Sequence, residues 1–178
     1  MNIEDLRKPL SINDIEFRVQ SINKGGYATI LAYKDARVDM NRLDDVCGAL
    51  NWKREHSKDN ANCIVSIWNE ANDQWVSKED TGVESMAEKE KGKASDSFKR
   101  ACFNWGIGRE LYDYPVISIP LKKDSEWKMV NDRPKQQFGL KIKQWVWFSQ
   151  FSADGKLNYL ACKDDKGVKR FEFGKYVK

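Results

Sequence analysis

The stretch from Lys89 to Arg109, KEKGKASDSFKRACFNWGIGR, constrains this chain more than any other. Ala87, Ala94, Phe98, Ala101, Cys102 and Trp105 recur at spacings of three, four and seven. Such spacing gives a helix one apolar stripe for a core. Ser85 and Glu88 form a Ser-x-x-Glu capping box, which satisfies amide donors at a helix start. Gly106 and Gly108 supply a left-handed stop. Lys89, Lys93, Asp96 and Arg100 fall opposite the stripe, with Lys99 on its flank. Six basic residues against two acids give this stretch a net charge of +4, equal to the formal charge of all 178 residues, so the basic character reads as this one helix. Lys91 projects near the stripe, and Gly92 beside it costs about 1 kcal/mol relative to Ala in a helix interior. Two readings stay open: a solvated helix face with a snorkelling lysine, or a cationic surface turned toward a polyanion.

The rest of the chain supplies strands. Ile15–Val19 alternates apolar and polar residues, Lys24-Gly25-Gly26 is a turn, and Tyr27–Tyr33 returns as the second arm of a hairpin. A helix is expected from about Asp39 to Leu50, with Met40, Leu43, Val46, Cys47 and Leu50 at helical spacing. Asn51–Ser57, Ala61–Asn69 and Gln74–Lys78 read as three strands before the basic helix. The expected fold class is therefore α+β: hairpin and helix, then a β-β-β-α core with a curved antiparallel sheet crossed by the long basic helix. Arg109–Pro120 reads as an extended exit, and 121–139 has no period and reads as a mobile loop. Residues 140–178 read as a small β-meander of unassigned role, with turns at Asp154-Gly155 and Asp165-Lys166-Gly167. The expected domains are 1–120, the loop 121–139 and the meander 140–178.

The run KGKASDSFKRACFNWGIGRELY resembles the signature of the Rad fifty-two superfamily of single-strand annealing proteins, particularly the small phage members of Sak type. The matching positions are Ser95-Asp96, Lys99-Arg100-Ala101 and Trp105-Gly106. The likeness covers roughly residues 10 to 115. It implies ATP-independent, sequence-nonspecific binding of single-stranded DNA and annealing of complementary strands in recombination and repair. No cofactor is implied. The partners implied are single-stranded DNA, further copies of the chain in a ring or filament, and a phage or host exonuclease or single-strand binding protein. Lys99 and Arg100 are the main candidates for the DNA backbone, followed by Lys91, Lys93, Arg37 and Arg109. Arg37 occupies the place of a family arginine before the first helix, and it also reads as an ordinary surface arginine. Relatives often carry another basic residue a turn beyond the Lys-Arg pair, where this chain has Phe103-Asn104.

Annealing chemistry suits these residue types. Two complementary strands repel through their phosphates, and Lys or Arg along a groove neutralises that charge without reading sequence, with a strong dependence on salt. Enzyme readings fare worse. One histidine, His56, leaves no Ser-His-Asp or Cys-His system, and no phosphate-binding Gly-rich loop is present. Asp39, Asp44 and Asp45 are the acids a metal-dependent nuclease would draw on. A second alternative is a binder that protects single-stranded DNA or RNA without annealing it. Four cysteines lie far apart, read as reduced core residues, and offer no zinc spacing. No apolar run is long enough to span a bilayer, and MNIEDLRKPLSIND does not read as a signal peptide, so a cytoplasmic site is expected, that of the host if the chain is phage-encoded. Of seven tryptophans, Trp68, Trp75 and Trp105 are expected between sheet and helix. Trp127 is the exposed candidate for base stacking, with Tyr112 and Tyr114 next.

Overall fold

The computed structural model describes residues 2–82 and 89–177, without the side chains of residues 89–91. The expected capping box at Ser85 and Glu88 and the Lys91 side chain lie outside the described residues. The fold is α+β, with antiparallel strands in small sheets and, among the described residues, two α-helices. In chain order the elements are β1 (Ile15–Ile22), β2 (Tyr27–Lys34), α1 (Ala36–Cys47), β3 (Trp52–Ser57), β4 (Asn62–Asn69), β5 (Gln74–Thr81) and α2 (Lys89–Trp105). There follow β6 (Ile117–Pro120), β7 (Trp127–Val130), β8 (Arg133–Gln136), β9 (Val146–Phe151), β10 (Leu157–Lys163) and β11 (Lys169–Gly174). They divide into two compact units, Met1–Leu10 with Lys34–Arg109, and Ser11–Tyr33 with Glu110–Lys178. The second unit therefore joins the β1–β2 hairpin with the C-terminal strands.

The first unit is the β-β-β-α arrangement. β3, β4 and β5 form an antiparallel sheet in which Trp52 faces Ile67 and Trp68 faces Trp75. Alternation puts Cys63, Val65 and Ile67 on the face that α2 covers, and all three are buried. Phe98, Ala101, Cys102 and Trp105 of α2 meet them as the apolar stripe, and Trp105 Nε1 donates to the Val65 carbonyl at 3.0 Å. Gly106 ends α2 at φ +102°. Its N–H donates to Phe103 O at 2.9 Å, and the Ile107 N–H reaches back to Cys102 O at 3.2 Å. That is the paired closure a left-handed residue permits at a helix end.

α1 begins and ends three residues earlier than the apolar spacing predicts. The Asp35 side chain caps it by accepting from the Arg37 N–H at 2.9 Å, and Gly48 stops it at φ +84°. Leu50 therefore falls off the helix and is 92% exposed. In the N-terminal segment Leu6 and Leu10 are buried. Arg42 Nη1 ties it to α1 by donating to Asp5 O at 3.0 Å and Lys8 O at 2.8 Å.

In the second unit, β6 pairs antiparallel with β2, with Ala28 opposite Ile119, so the expected extended exit is partly strand. The expected loop at 121–139 contains the β7–β8 hairpin, turned by Asn131 and Asp132 at φ +50° and +57°. Trp127 anchors it and is only 6% exposed; a Cβ on Gly26 would lie 2.5 Å from its ring. Arg170 is buried with Glu126 (2.8 Å) and Asp164 (3.2 Å). The C-terminal strands run in the order β11-β10-β9, and Phe17 stacks on Trp147 at 3.7 Å between ring centroids. Residues before Val146 turn as a short 3-10 helix (Ile142–Gln144).

Candidate nucleic-acid interface

Three of the six basic residues singled out by sequence, Lys93, Lys99 and Arg100, stand on α2 off its apolar stripe. Lys99 is partly exposed, and its charge acts on Asp35 and Asp39, so it stands on the α1 side of α2. No ion pair or hydrogen bond holds its ammonium among the described residues. Arg100, the next residue, pairs through Nε with Asp96 Oδ2 one turn earlier at 3.0 Å. Lys93 is half-buried toward the start of the helix. Arg37, in the first turn of α1, is 81% exposed in its side chain and pairs with Asp35 at 2.8 Å. That hydrogen bond, then the one from the Arg37 backbone N–H and the Arg37 charge, holds the Asp35 carboxyl below the usual carboxylate range, with Lys99 adding least. Arg37 pairs with this carboxylate directly, and Lys99, from the other helix of the same unit, acts on it only through its charge.

Arg109 is placed differently. Its guanidinium donates to Phe103 O at 3.0 and 2.8 Å and to Asn104 O at 3.1 Å. It satisfies the last carbonyls of α2, where a cation also complements the helix dipole. Lys78 Nζ joins it on Asn104 O at 2.7 Å. Arg109 is a helix cap first.

Two cations escaped the sequence reading. Arg54, on β3, lies over the Phe98 ring at 4.8 Å from its centroid and is otherwise exposed, so it emerges beside α2. Strand parity would have placed it on the helix face, two residues from Trp52. Lys34 is the opposite case, being 1% exposed. Its Nζ bonds Asp39 Oδ1 and donates to Ile107 O at 2.7 Å, with the Phe103 ring centroid at 4.2 Å. Burial outweighs the lysine and pushes the Asp39 carboxyl up to about 6.

The acids considered for metal chemistry do not converge. Asp39 is consumed by Lys34, while Asp44 accepts a hydrogen bond from Trp52 Nε1 at 2.6 Å. Among the described residues no cluster of three or more His, Cys, Asp or Glu could hold a metal ion. His56 stands beside α2, with Ser97 Oγ 3.4 Å from its Nδ1, and burial together with Arg54 lowers its pKa. All four cysteines are free and buried.

The tryptophans also rearrange the stacking candidates. Trp105 packs between helix and sheet as expected, but Trp68 and Trp75 lie on the opposite sheet face, edge to face at 5.3 Å. Trp75 is 40% exposed there and carries Lys53 Nζ at 5.1 Å from its ring centroid. Trp127 is buried and offers no platform. Tyr112 is 66% exposed, whereas Tyr114 lines a cavity with Leu31, Leu111 and Ile117, and burial pushes its phenol up.

No protein-family model matches the chain. It is similar to the single-stranded DNA-binding protein DdrA of Deinococcus radiodurans, at 29% identity over 142 residues, which is 76% of this chain and 65% of the relative. It is also similar to the single-stranded DNA-binding protein DdrA of Deinococcus deserti, at 29% identity over 143 residues, covering 76% of this chain and 66% of the relative. The chain spans slightly under two thirds of the length of these curated relatives. These relatives do not point to the phage type in particular. No helix among the described residues is long and apolar enough to cross a membrane.

Proposed function

We propose that this chain binds single-stranded DNA without reading its sequence and anneals complementary strands without ATP, as an oligomer and without a catalytic step of its own. The observation that carries the reading is the outer face of α2. There Lys99 and Arg100 stand on the surface, with Lys93 on the same helix and Arg37 on α1 alongside. Cations so arranged meet phosphates and leave bases free to test register against a second strand. The relatives' description as single-stranded DNA-binding proteins supports the ligand class. A single unit of this size covers few nucleotides, so a continuous groove calls for several copies, in a ring or a filament.

The relatives' names speak of binding only, which favours a second reading: protection of single strands without annealing. Pairing of two complementary labelled oligonucleotides separates the two. Annealing predicts pairing that the protein accelerates without nucleotide, with an acceleration that fades as salt rises. Binding without acceleration establishes the second reading, and no binding at low salt refutes both.

A further inference from the structure

Basicity is not confined to α2. Residues 140–178 hold nine Lys and Arg against four Asp and Glu, a net of +5, and the sheet they form has two unlike faces. One face is core: Leu160 and Cys162 are buried, and Trp147 stacks on Phe17. On the other, register sets Phe148 opposite Ala161, Tyr159 opposite Gln150, and Lys163 opposite both Val146 and Lys169. Directly opposed residues share a face, so these side chains stand together.

Phe148, Tyr159 and Tyr176 meet edge to face there, with centroids 5.6 to 6.0 Å apart. Phe148 is 46% and Tyr176 53% exposed. Tyr176 follows β11 and is held in place from the next residue. Gln150 Nε2 donates to Val177 O at 2.7 Å, and Gln150 Oε1 accepts from the Val177 N–H at 2.9 Å. The acid on this face, Glu172, is already engaged by Lys169 at 2.5 Å and the Tyr159 hydroxyl at 2.8 Å. Lys163 is exposed and has no carboxylate partner among the described residues.

Exposed aromatic rings on a sheet edged by lysines, of which Lys163 has no carboxylate partner among the described residues, suit one chemistry above others. Every nucleobase offers a π-face for stacking, and the backbone between bases is anionic. An acidic peptide would use the lysines and leave the rings idle. We infer that this face is a second contact for single-stranded DNA, with bases stacked on Phe148 and Tyr176 and phosphates along Lys163 and Lys169. The inference rests on the reading that the chain binds single strands, but it lies in the other structural unit from α2 and fails separately.

The test uses the whole chain and a fluorescein-labelled oligothymidylate, followed by anisotropy. Phe148→Ala with Tyr176→Ala should weaken binding by about fivefold or more, the low end of what one stacked base contributes. Lys163→Glu, a surface change that leaves the rings alone, should weaken it as well. In the parent, an iododeoxyuridine oligonucleotide should photocross-link to Phe148, Tyr159 or Tyr176. Parent-like affinity in both variants, with cross-links confined to Lys34–Arg109, overturns the inference while leaving the α2 reading intact. Unchanged affinity with a smaller sedimenting mass also overturns it, because the face is then a contact between copies. Failure of the parent itself to bind defeats the functional reading and this inference together.

Discussion

Lys34→Met probes the buried node that fixes α1 against α2. The lysine is 1% and Asp39 0% exposed, and Lys34 also holds the Ile107 carbonyl just beyond the α2 stop. Methionine keeps the apolar stem but strands a buried carboxylate. Breaking one side of such a pair is expected to cost about 3–5 kcal/mol. With a urea slope of about 3 kcal/mol/M for a chain of this size, the midpoint should fall by roughly 1–2 M. The pH dependence carries the sharper signature. Asp39 ionises at about 6 in the folded chain against 3.8 as its ordinary value, so its contribution to stability is fully present below pH 3.8 and is lost as pH rises through 6. Below pH 6 both chains fold with Asp39 largely protonated. Above it the parent ionises within the pair, whereas the variant keeps losing about 1.4 kcal/mol per pH unit until its own, higher pKa is reached. The deficit between parent and variant should therefore widen from pH 5 to pH 8 in urea titrations. Lys34→Met with Asp39→Leu should recover much of the loss. A deficit that stays constant across that range, or a double variant no more stable than the single one, would refute the reasoning.

Two further outcomes follow from local geometry. Arg109→Ala should lower stability by about 1 kcal/mol, because the guanidinium caps α2, while single-strand affinity changes less than it does on removing Lys99 and Arg100; urea titration and anisotropy on one preparation check both. Burial pushes the thiols of Cys63 and Cys162 up to about 11 and 12 and those of Cys47 and Cys102 upward too. At pH 8 a thiol reagent should then label the native chain only as fast as it opens, but all four cysteines at once in denaturant; a rapid native phase would contradict that.

The β-β-β-α core was readable because two periods agree there: alternation through Cys63, Val65 and Ile67, and the three-four spacing from Phe98 to Trp105. The same alternation puts Trp68 out of phase with that face, so its place on the far side was legible but outweighed by the habit of burying tryptophan. β6 and the β7–β8 hairpin were hidden because four-residue strands are too short to show a period. Asn131-Asp132 also takes positive φ without the glycine that usually marks such a turn. The burial of Trp127 depends on Gly26, a contact across a hundred residues that no local pattern announces. Among the basic residues, side-chain type alone could not separate Arg109, a cap, from Arg100, a surface cation. The charge of 140–178 was open to simple counting, yet it vanished into the total because the chain outside it and Lys89–Arg109 sums to −5.

The most direct measurement is the salt dependence of single-strand binding for the parent and for Lys99→Ala with Arg100→Ala. If each residue holds one phosphate, losing both should flatten the slope of log affinity against log salt by about 1.4. Between 50 and 200 mM salt the parent should then lose about sevenfold more affinity than the variant. Stability should change by about 0.5 kcal/mol, because the ion pair of Arg100 with Asp96 is a partly exposed helix pair. A folded variant with the parent's affinity and slope would contradict the assignment of the α2 face to DNA.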